Sequence, residues 1–261
     1  MKGEGASSGG MSSPRERWLP VIAAVFVTSL VVSNIIAVKL FSVGPVILPA
    51  GVIVFPISYI FGDILTEVYG YGRARQVIWL GFGCNLMAVA IIEACIHLPP
   101  SSIWHITGTA SASASQEVFA SVLGFAPRLL LASFVAYLAG EFLNSLVMAK
   151  MKITTRGRYL WTRTIGSTLV GQLADSGFFI VVAFTGTIPA DALFGLVLSQ
   201  WVFKSGYEIV ATPLTYAIVN FLKKSENQDY FDYGTNFNPI MWGDPSSRGA
   251  RIPLARDDTH G

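Results

Sequence analysis

Charge and apolarity are segregated along this chain. Long stretches carry almost no Asp, Glu, Lys or Arg, and basic residues gather where those stretches end. A run of about 20 apolar residues is what a helix needs to cross a hydrocarbon layer of about 30 Å. Only 13% of the 261 residues are charged and 52% are hydrophobic. Soluble domains carry roughly 25% charged residues, so the pattern points to lipid rather than to a large aqueous-domain core. It predicts an all-α integral membrane protein with six transmembrane helices, at residues 18–40, 56–70, 77–98, 124–149, 165–185 and 193–222. Residues 1–16 read as a flexible tail and 17–224 as the six-helix domain. Residues 225–261 read as a partly disordered tail whose aromatics Tyr230, Phe231, Tyr233, Phe237 and Trp242 could tuck against the membrane face.

The basic residues fix an orientation. Arg15 and Arg17 precede the first span, and Arg73 and Arg75 follow the second. Lys150, Lys152, Arg156, Arg158 and Arg163 lie between the fourth and fifth, and Lys223 and Lys224 close the sixth. The positive-inside rule then puts both termini in the cytoplasm. The Gly/Ser-rich leader is not read as a signal peptide, because the apolar run behind it is too long and has no small-residue cleavage site. A net charge of +2 without basic runs argues against nucleic acid. Cys84 and Cys95 share one apolar helix, roughly 16 Å apart at 1.5 Å per residue, so they cannot bridge within one chain. No Cys/His cluster suggests a metal, and nothing calls for a cofactor.

The second span is short. Pro56 suits the first turn of a helix, and Pro56 to Gly70 covers only about 22 Å. The apolar stretch before it is broken by Gly44, Pro45, Pro49 and Gly51. Residues 41–55 therefore read as a non-helical segment or hairpin dipping in from the outer side to roof a cavity, since irregular backbone at membrane depth must be satisfied by protein or water. The alternative is a fully extracellular loop. Residues 97–116 form a long outer loop leading into a short interfacial helix near 117–123.

Ionisable residues inside spans are costly and by default mark function. Asn85 lies ten residues past Arg75, Gln172 and Asp175 nine and twelve past Arg163, and Lys204 and Glu208 nineteen and fifteen before Lys223. All five fall near one depth, the midplane. Gln172 and Asp175 share a helix face, as do Lys204 and Glu208. Arg128 enters the fourth span from outside, Asn34 sits in the outer half of the first, and Asp63 lies somewhat inward of centre. Midplane convergence of donors and acceptors is the habit of transporter sites. With flanking aromatics Phe55, Tyr59, Phe178 and Tyr207, the mixture suits a planar heterocycle better than a bare ion or a sugar. Structural alternatives stand beside each residue. Lys204 and Glu208 would neutralise each other one turn apart, Arg128 would anchor at the interface, and Asn85 and Gln172 would act as interhelical glue. Glu67, near Arg73 and Arg75, suits a cytoplasmic gate or ion pair, or merely stabilises a helix end. Glu141, three residues before Asn144, would gate or pair with Lys150. No HExxH and no Ser/His pair at membrane depth supports an enzyme.

The stretch FPISYIFGDILTEVYGYGRAR (residues 55–75) closely resembles the signature of the queuosine precursor transporter family, also called the vitamin uptake transporter family. Segments around Arg128, around Gln172 and Asp175, and around Lys204 and Glu208 agree in order, so the resemblance runs from Ser33 to Lys224. Ser176 stands where some relatives carry Thr. The resemblance implies a six-span inner-membrane importer of 7-cyano-7-deazaguanine and 7-aminomethyl-7-deazaguanine. It implies a fold similar to the substrate-binding subunits of energy-coupling-factor transporters, but working without their ATPase module. Such a base would offer N1–H and its exocyclic amine to Glu208 or Asp175 and O6 to Gln172, Asn85 or Lys204, with Asp63 a second acid for the cationic form. A binding subunit that needs a separate ATPase is the competing reading. A homodimer is compatible with either.

Overall fold

The computed structural model describes residues 16–37, 39–43, 46–124, 127–186, 189–227, 229–240 and 250–252. Among the described residues, seven helices carry the fold: α1 (Leu19–Ile36), α2 (Phe55–Tyr69), α3 (Tyr71–Ile96), α4 (Ala112–Leu123), α5 (Pro127–Thr154), α6 (Leu160–Phe184) and α7 (Ala190–Glu226). A short antiparallel hairpin, β1 (Leu40–Val43) with β2 (Val46–Pro49), and an antiparallel strand pair, β3 (Asp229–Phe231) with β4 (Ala250–Ile252), accompany them. This is a multi-pass membrane protein. Among the described residues, five segments are long and apolar enough to cross a bilayer: Leu19–Ile36, Ala50–Tyr69, Tyr71–Ile96, Leu131–Thr154 and Leu160–Phe184. The sixth expected span coincides with α7, which is not among these five. Gln200, Lys204, Ser205, Glu208 and Thr212 dilute its apolar character, although it runs unbroken through Pro213. The interfacial helix foreseen near 117–123 is α4. It begins earlier, where the Ser111 side chain accepts a hydrogen bond from the Ala114 N–H and caps the first turn.

The segment before α2 is a hairpin, as its prolines and glycines require. Leu40 pairs with Pro49 and Val43 with Val46, and residues 44–45 at its tip lie outside the described residues. A 3-10 turn, Ala50–Ile53, then leads into α2 and lengthens it to a 20-residue crossing. The shortness of the second span is made up in this way. Gly51 sits so close to α1 that a Cβ there would come within 2.5 Å of the Ser33 carbonyl oxygen.

α2 is the central helix. Almost every residue from Ser58 to Tyr69 is buried, enclosed by α1, α3, α5 and α7. The other crossings expose leucine, valine, isoleucine and phenylalanine outward, including Leu86, Met87 and Ile91 on α3 and Val170, Leu173 and Val181 on α6, as helices facing lipid do. The acids of α2 are therefore enclosed by protein whichever way they point. Gly70 ends α2 at φ 83°, a conformation that favours glycine, and a Cβ there would also collide with the Tyr230 ring.

Within the C-terminal segment, read from the sequence as partly disordered, residues 229–240 contribute structure. Residues 229–240 run as a strap along α3. Both Asp232 carboxylate oxygens accept from the Tyr71 N–H at 3.1 Å, an anion at a helix N-terminus. Arg75 donates to the Asn238 carbonyl at 2.7 Å, and Trp79 Nε1 donates to that of Pro239 at 2.7 Å. Tyr71 and Phe237 pack ring to ring. Trp242 lies outside the described residues.

α5 and α6 form the most extensive helix pair, drawn together by Gly140 and Gly171. A Cβ at Gly140 would strike the Tyr59 hydroxyl and approach Asp175 Cβ to 2.8 Å, whereas Gly83 on α3 has nothing within 4 Å. Gly140→Ala is expected to cost about 1–3 kcal/mol of stability through overpacking. Gly83→Ala should be neutral or gain up to about 1 kcal/mol from helix propensity. Thermal unfolding of the two variants in one detergent gives the comparison.

Candidate functional site

The polar residues sort into three levels along the bundle. At the first is a cavity of about 710 Å³ between α1, the 3-10 turn, α2, α5, α6 and α7. Its volume lies within the ~300–1,000 Å³ typical of small-molecule sites. Asn34, Phe55, Asp175 and Lys204, all expected here from the sequence, line it. Lys204 Nζ donates to Asp175 Oδ2 at 2.5 Å and stands 4.7 Å from the centre of the Phe55 ring. The ammonium thus faces a carboxylate and an aromatic surface together. The expected pairing of Lys204 with Glu208 does not occur, because α6 brings Asp175 to the lysine first. Asn85 does not line the cavity. Its Oδ1 accepts from Asn34 Nδ2 at 3.1 Å and so orients the amide that does. Phe178 and Tyr207 are exposed rather than flanking the site. Phe179, one turn beyond Asp175, and Gln200, one turn before Lys204, take their place. That i,i+4 relation was the available signal for both. The Arg128 side chain lies outside what the structure describes.

Beneath the cavity, side chains are sealed between helices. Glu208 accepts from Thr168 Oγ1 at 2.6 Å and from Gln172 Nε2 at 2.5 Å, joining α7 to α6. Asp63 Oδ1 accepts from Asn144 Nδ2 at 2.8 Å, joining α2 to α5. Tyr59 is fully buried, packs against Phe55 at 5.3 Å, and its hydroxyl has no hydrogen-bond partner among the described residues. Neither carboxyl oxygen of Glu141 has one either. Glu141 is not paired with Lys150, which lies more than two turns further on and faces the Phe237 ring.

The third level is an ion-pair cluster around Glu67. Arg163 donates to both of its carboxylate oxygens, from Nη2 at 2.7 Å and Nε at 3.2 Å, in the fork geometry that strengthens such pairs. Lys223 Nζ lies 2.6 Å and Lys152 Nζ 3.4 Å from Glu67 Oε1. Asp229 of the strap accepts from Lys152 at 2.6 Å and lies 2.9 Å from Lys223. The Glu67 partners are therefore not Arg73 and Arg75. Arg73 pairs with Glu16 at 3.0 Å and Arg75 binds the strap, because Gly70 turns α3 away from α2. Lys152 and Arg163, expected in a loop, belong to the ends of α5 and α6 and are buried. A buried acid needs compensating cations, and the nearest helix ends supply them.

Residues 49–218 match the family described as "Putative vitamin uptake transporter". That is about two thirds of the chain. The chain belongs to this family. It is 32% identical over 165 residues to the "Probable queuosine precursor transporter" of Bacillus subtilis (strain 168), covering 63% of this chain and 68% of that protein. It is 25% identical over 181 residues to the "Queuosine precursor transporter" of Escherichia coli (strain K12), covering 67% and 74% respectively. No solved structure matches the chain. The vitamin uptake transporter family is one of transporters rather than enzymes, and the matched region contains α2, the Asp175–Lys204 pair and Glu208.

Two outcomes test the Glu67 cluster. Glu67→Gln leaves three cations without their central anion and is expected to cost about 3–5 kcal/mol, the usual loss on breaking a buried pair. Thermal unfolding in detergent measures it, with Arg73→Gln expected to lie within about 1 kcal/mol of the parent because the Arg73 side chain is partly exposed and its pair with Glu16 is screened by solvent. The second outcome concerns the strap. Burial alone would raise the Asp229 carboxyl, but Lys152 and Lys223 outweigh it and hold the group below the ordinary carboxylate value. A lowered folded value contributes stability above the unfolded value, of about 3.9, and loses it as pH falls through the folded one. The strap should stay docked at neutral pH and release only below about pH 4. Spin labels on the strap and α3 would report the separation.

Proposed function

We propose that this chain imports queuosine precursors, 7-cyano-7-deazaguanine and 7-aminomethyl-7-deazaguanine, across the cytoplasmic membrane through the cavity at Asp175 and Lys204. The carrying observation is that carboxylate and ammonium adjoin each other on the cavity wall, 2.5 Å apart. A guanine-like edge presents two donors, N1–H and the exocyclic amine, beside one acceptor, O6. An anion next to a cation is the complementary row. Asp175 accepts from the two N–H groups, Lys204 donates to O6, and Asn34 is within the same wall to assist. Phe55 and Phe179 supply ring faces for the flat base. The names of the two relatives support the substrate class.

In this reading α7 is the sixth crossing, both termini are cytoplasmic, and the Glu67 cluster with its strap closes the cytoplasmic end. Glu208, Gln172 and Asp63 lie beneath the cavity and brace it rather than meeting the ring in this conformation. Glu208 stands ready as a second acid for the cationic substrate once the helices rearrange.

The test is counterflow exchange of labelled 7-cyano-7-deazaguanine by the purified full chain in liposomes, with no other subunit present. Exchange is expected, and Asp175→Asn should weaken substrate affinity about 10- to 150-fold, the loss of about 1.5–3 kcal/mol of charge-assisted hydrogen bonding. Binding without exchange would favour a subunit that needs a separate ATPase. Wild-type affinity in Asp175→Asn would remove the carboxylate from the site.

A further inference from the structure

Glu141 stands out among the buried acids. It lies in the middle of α5 and is fully buried, and neither of its oxygens has a hydrogen-bond partner among the described residues. Every other acid of the bundle interior has one. Asp175 holds Lys204, Glu208 holds Thr168 and Gln172, Asp63 holds Asn144, and Glu67 holds three cations. The titratable groups near enough to act electrostatically on Glu141 come from several helices: Tyr59 and Asp63 on α2, Tyr137 on its own helix, Asp175 on α6 and Glu208 on α7. α3 brings Cys84 toward Tyr137, and α1 brings the Phe26 ring against Gly62. None of these is a cation, and Lys204 is engaged by Asp175. No described group in these surroundings answers a charge on the Glu141 carboxyl, so gaining or losing a proton there breaks no existing contact.

The backbone is shaped around this carboxyl. A Cβ on Gly62 would lie 2.9 Å from Glu141 Oε2, so α2 passes directly over it. Any displacement of α2 against α5 changes what Glu141 touches. Its neighbours also form a sequence from cavity to cytoplasmic end. Asp175 lines the cavity, and Tyr59 packs where Gly140 meets Asp175. Asp63 lies beside Gly62, and Glu67 of the closed cluster is one turn further along α2.

We propose that Glu141 is the proton-carrying site of a proton-coupled transport cycle, with Asp63 as its partner toward the cytoplasm. The inference rests on the importer reading above. The Glu141 carboxylate takes up one proton from outside water by way of the cavity, forming one O–H bond, and the rearrangement that carries the substrate inward turns the protonated site toward the other side. When the Glu67 cluster opens and α2 shifts, water reaching Asp63 receives that proton, and Glu141 returns as the carboxylate. One proton enters per substrate, and no bond other than O–H is made or broken.

The experiment uses the full chain in liposomes, neutral 7-cyano-7-deazaguanine and a membrane potential clamped at zero. With the lumen one pH unit more alkaline, one-to-one coupling accumulates substrate about tenfold over the outside concentration, since a tenfold ratio and one pH unit are the same 1.4 kcal/mol. Glu141→Gln mimics the protonated acid permanently. It should keep counterflow exchange, which needs no net proton movement, and lose gradient-driven accumulation. If wild type exchanges label but reaches only equal concentrations, coupling is absent and the inference fails while the importer reading stands. If no exchange occurs, the importer reading fails and takes the inference with it. If Glu141→Gln accumulates substrate as wild type does, Glu141 is not the carrier. Should that variant fail to fold, lumen acidification of one proton per substrate by wild type, followed with a trapped dye and expected to slow in Asp63→Asn, decides the matter. No acidification overturns the proposal.

Discussion

The burial of α2 on all sides is the constraint from which the rest follows. A helix enclosed by α1, α3, α5 and α7 has no face to turn toward lipid or water, so any acid it carries must be answered by its neighbours. Glu67 is answered by cations from the ends of α5, α6 and α7, and a strand of the C-terminal strap is tied into the same cluster. One carboxylate thereby fixes three helix ends to one point. The cluster holds three cations and two anions, a near balance that makes such a density of charge tolerable in a protein interior. Replacing the carboxylate with an apolar group would relieve its desolvation but strand the cations, which is why the cluster behaves as a unit.

Much of the fold was readable because lipid imposes a simple code. Five apolar crossings lie where the charge pattern puts them, and Gly44, Pro45 and Pro49 announced a break in the chain that turns out to be a hairpin. The polar set was readable as residues out of place in an apolar run, but its pairing was not. Asp175, Lys204, Gln172 and Glu208 each share a helix face with a neighbour in sequence, yet they pair across helices, Lys204 with Asp175 and Gln172 with Glu208. A one-dimensional pattern gives the face of a helix and not the rotation of that helix against its partner. The choice of Phe178 over Phe179 failed for the same reason, since one residue is 100° of helix. The strap was unreadable because its order comes from contacts with α3, such as Trp79 to the Pro239 carbonyl, rather than from any local propensity.

The three levels differ in how completely their charges are answered. The Glu67 cluster gathers three cations on two carboxylates, the cavity holds the matched Asp175–Lys204 pair, and the layer between them contains acids met by uncharged donors or, at Glu141, by no partner among the described residues. A hydrogen bond from an uncharged donor to a charged group is worth about 1.5–3 kcal/mol, below the ~3–5 kcal/mol lost when a buried ion pair is broken. The middle layer is therefore the one in which helices can exchange partners at lower cost, while the Glu67 cluster resists. A carrier that must show one site to two sides needs such a distribution, with a stiff closure at one end and a pliable layer between closure and cavity. Gly140 and Gly171 add to it, because the backbones of α5 and α6 approach each other there and leave little side-chain interlocking to hold that pair in a single register.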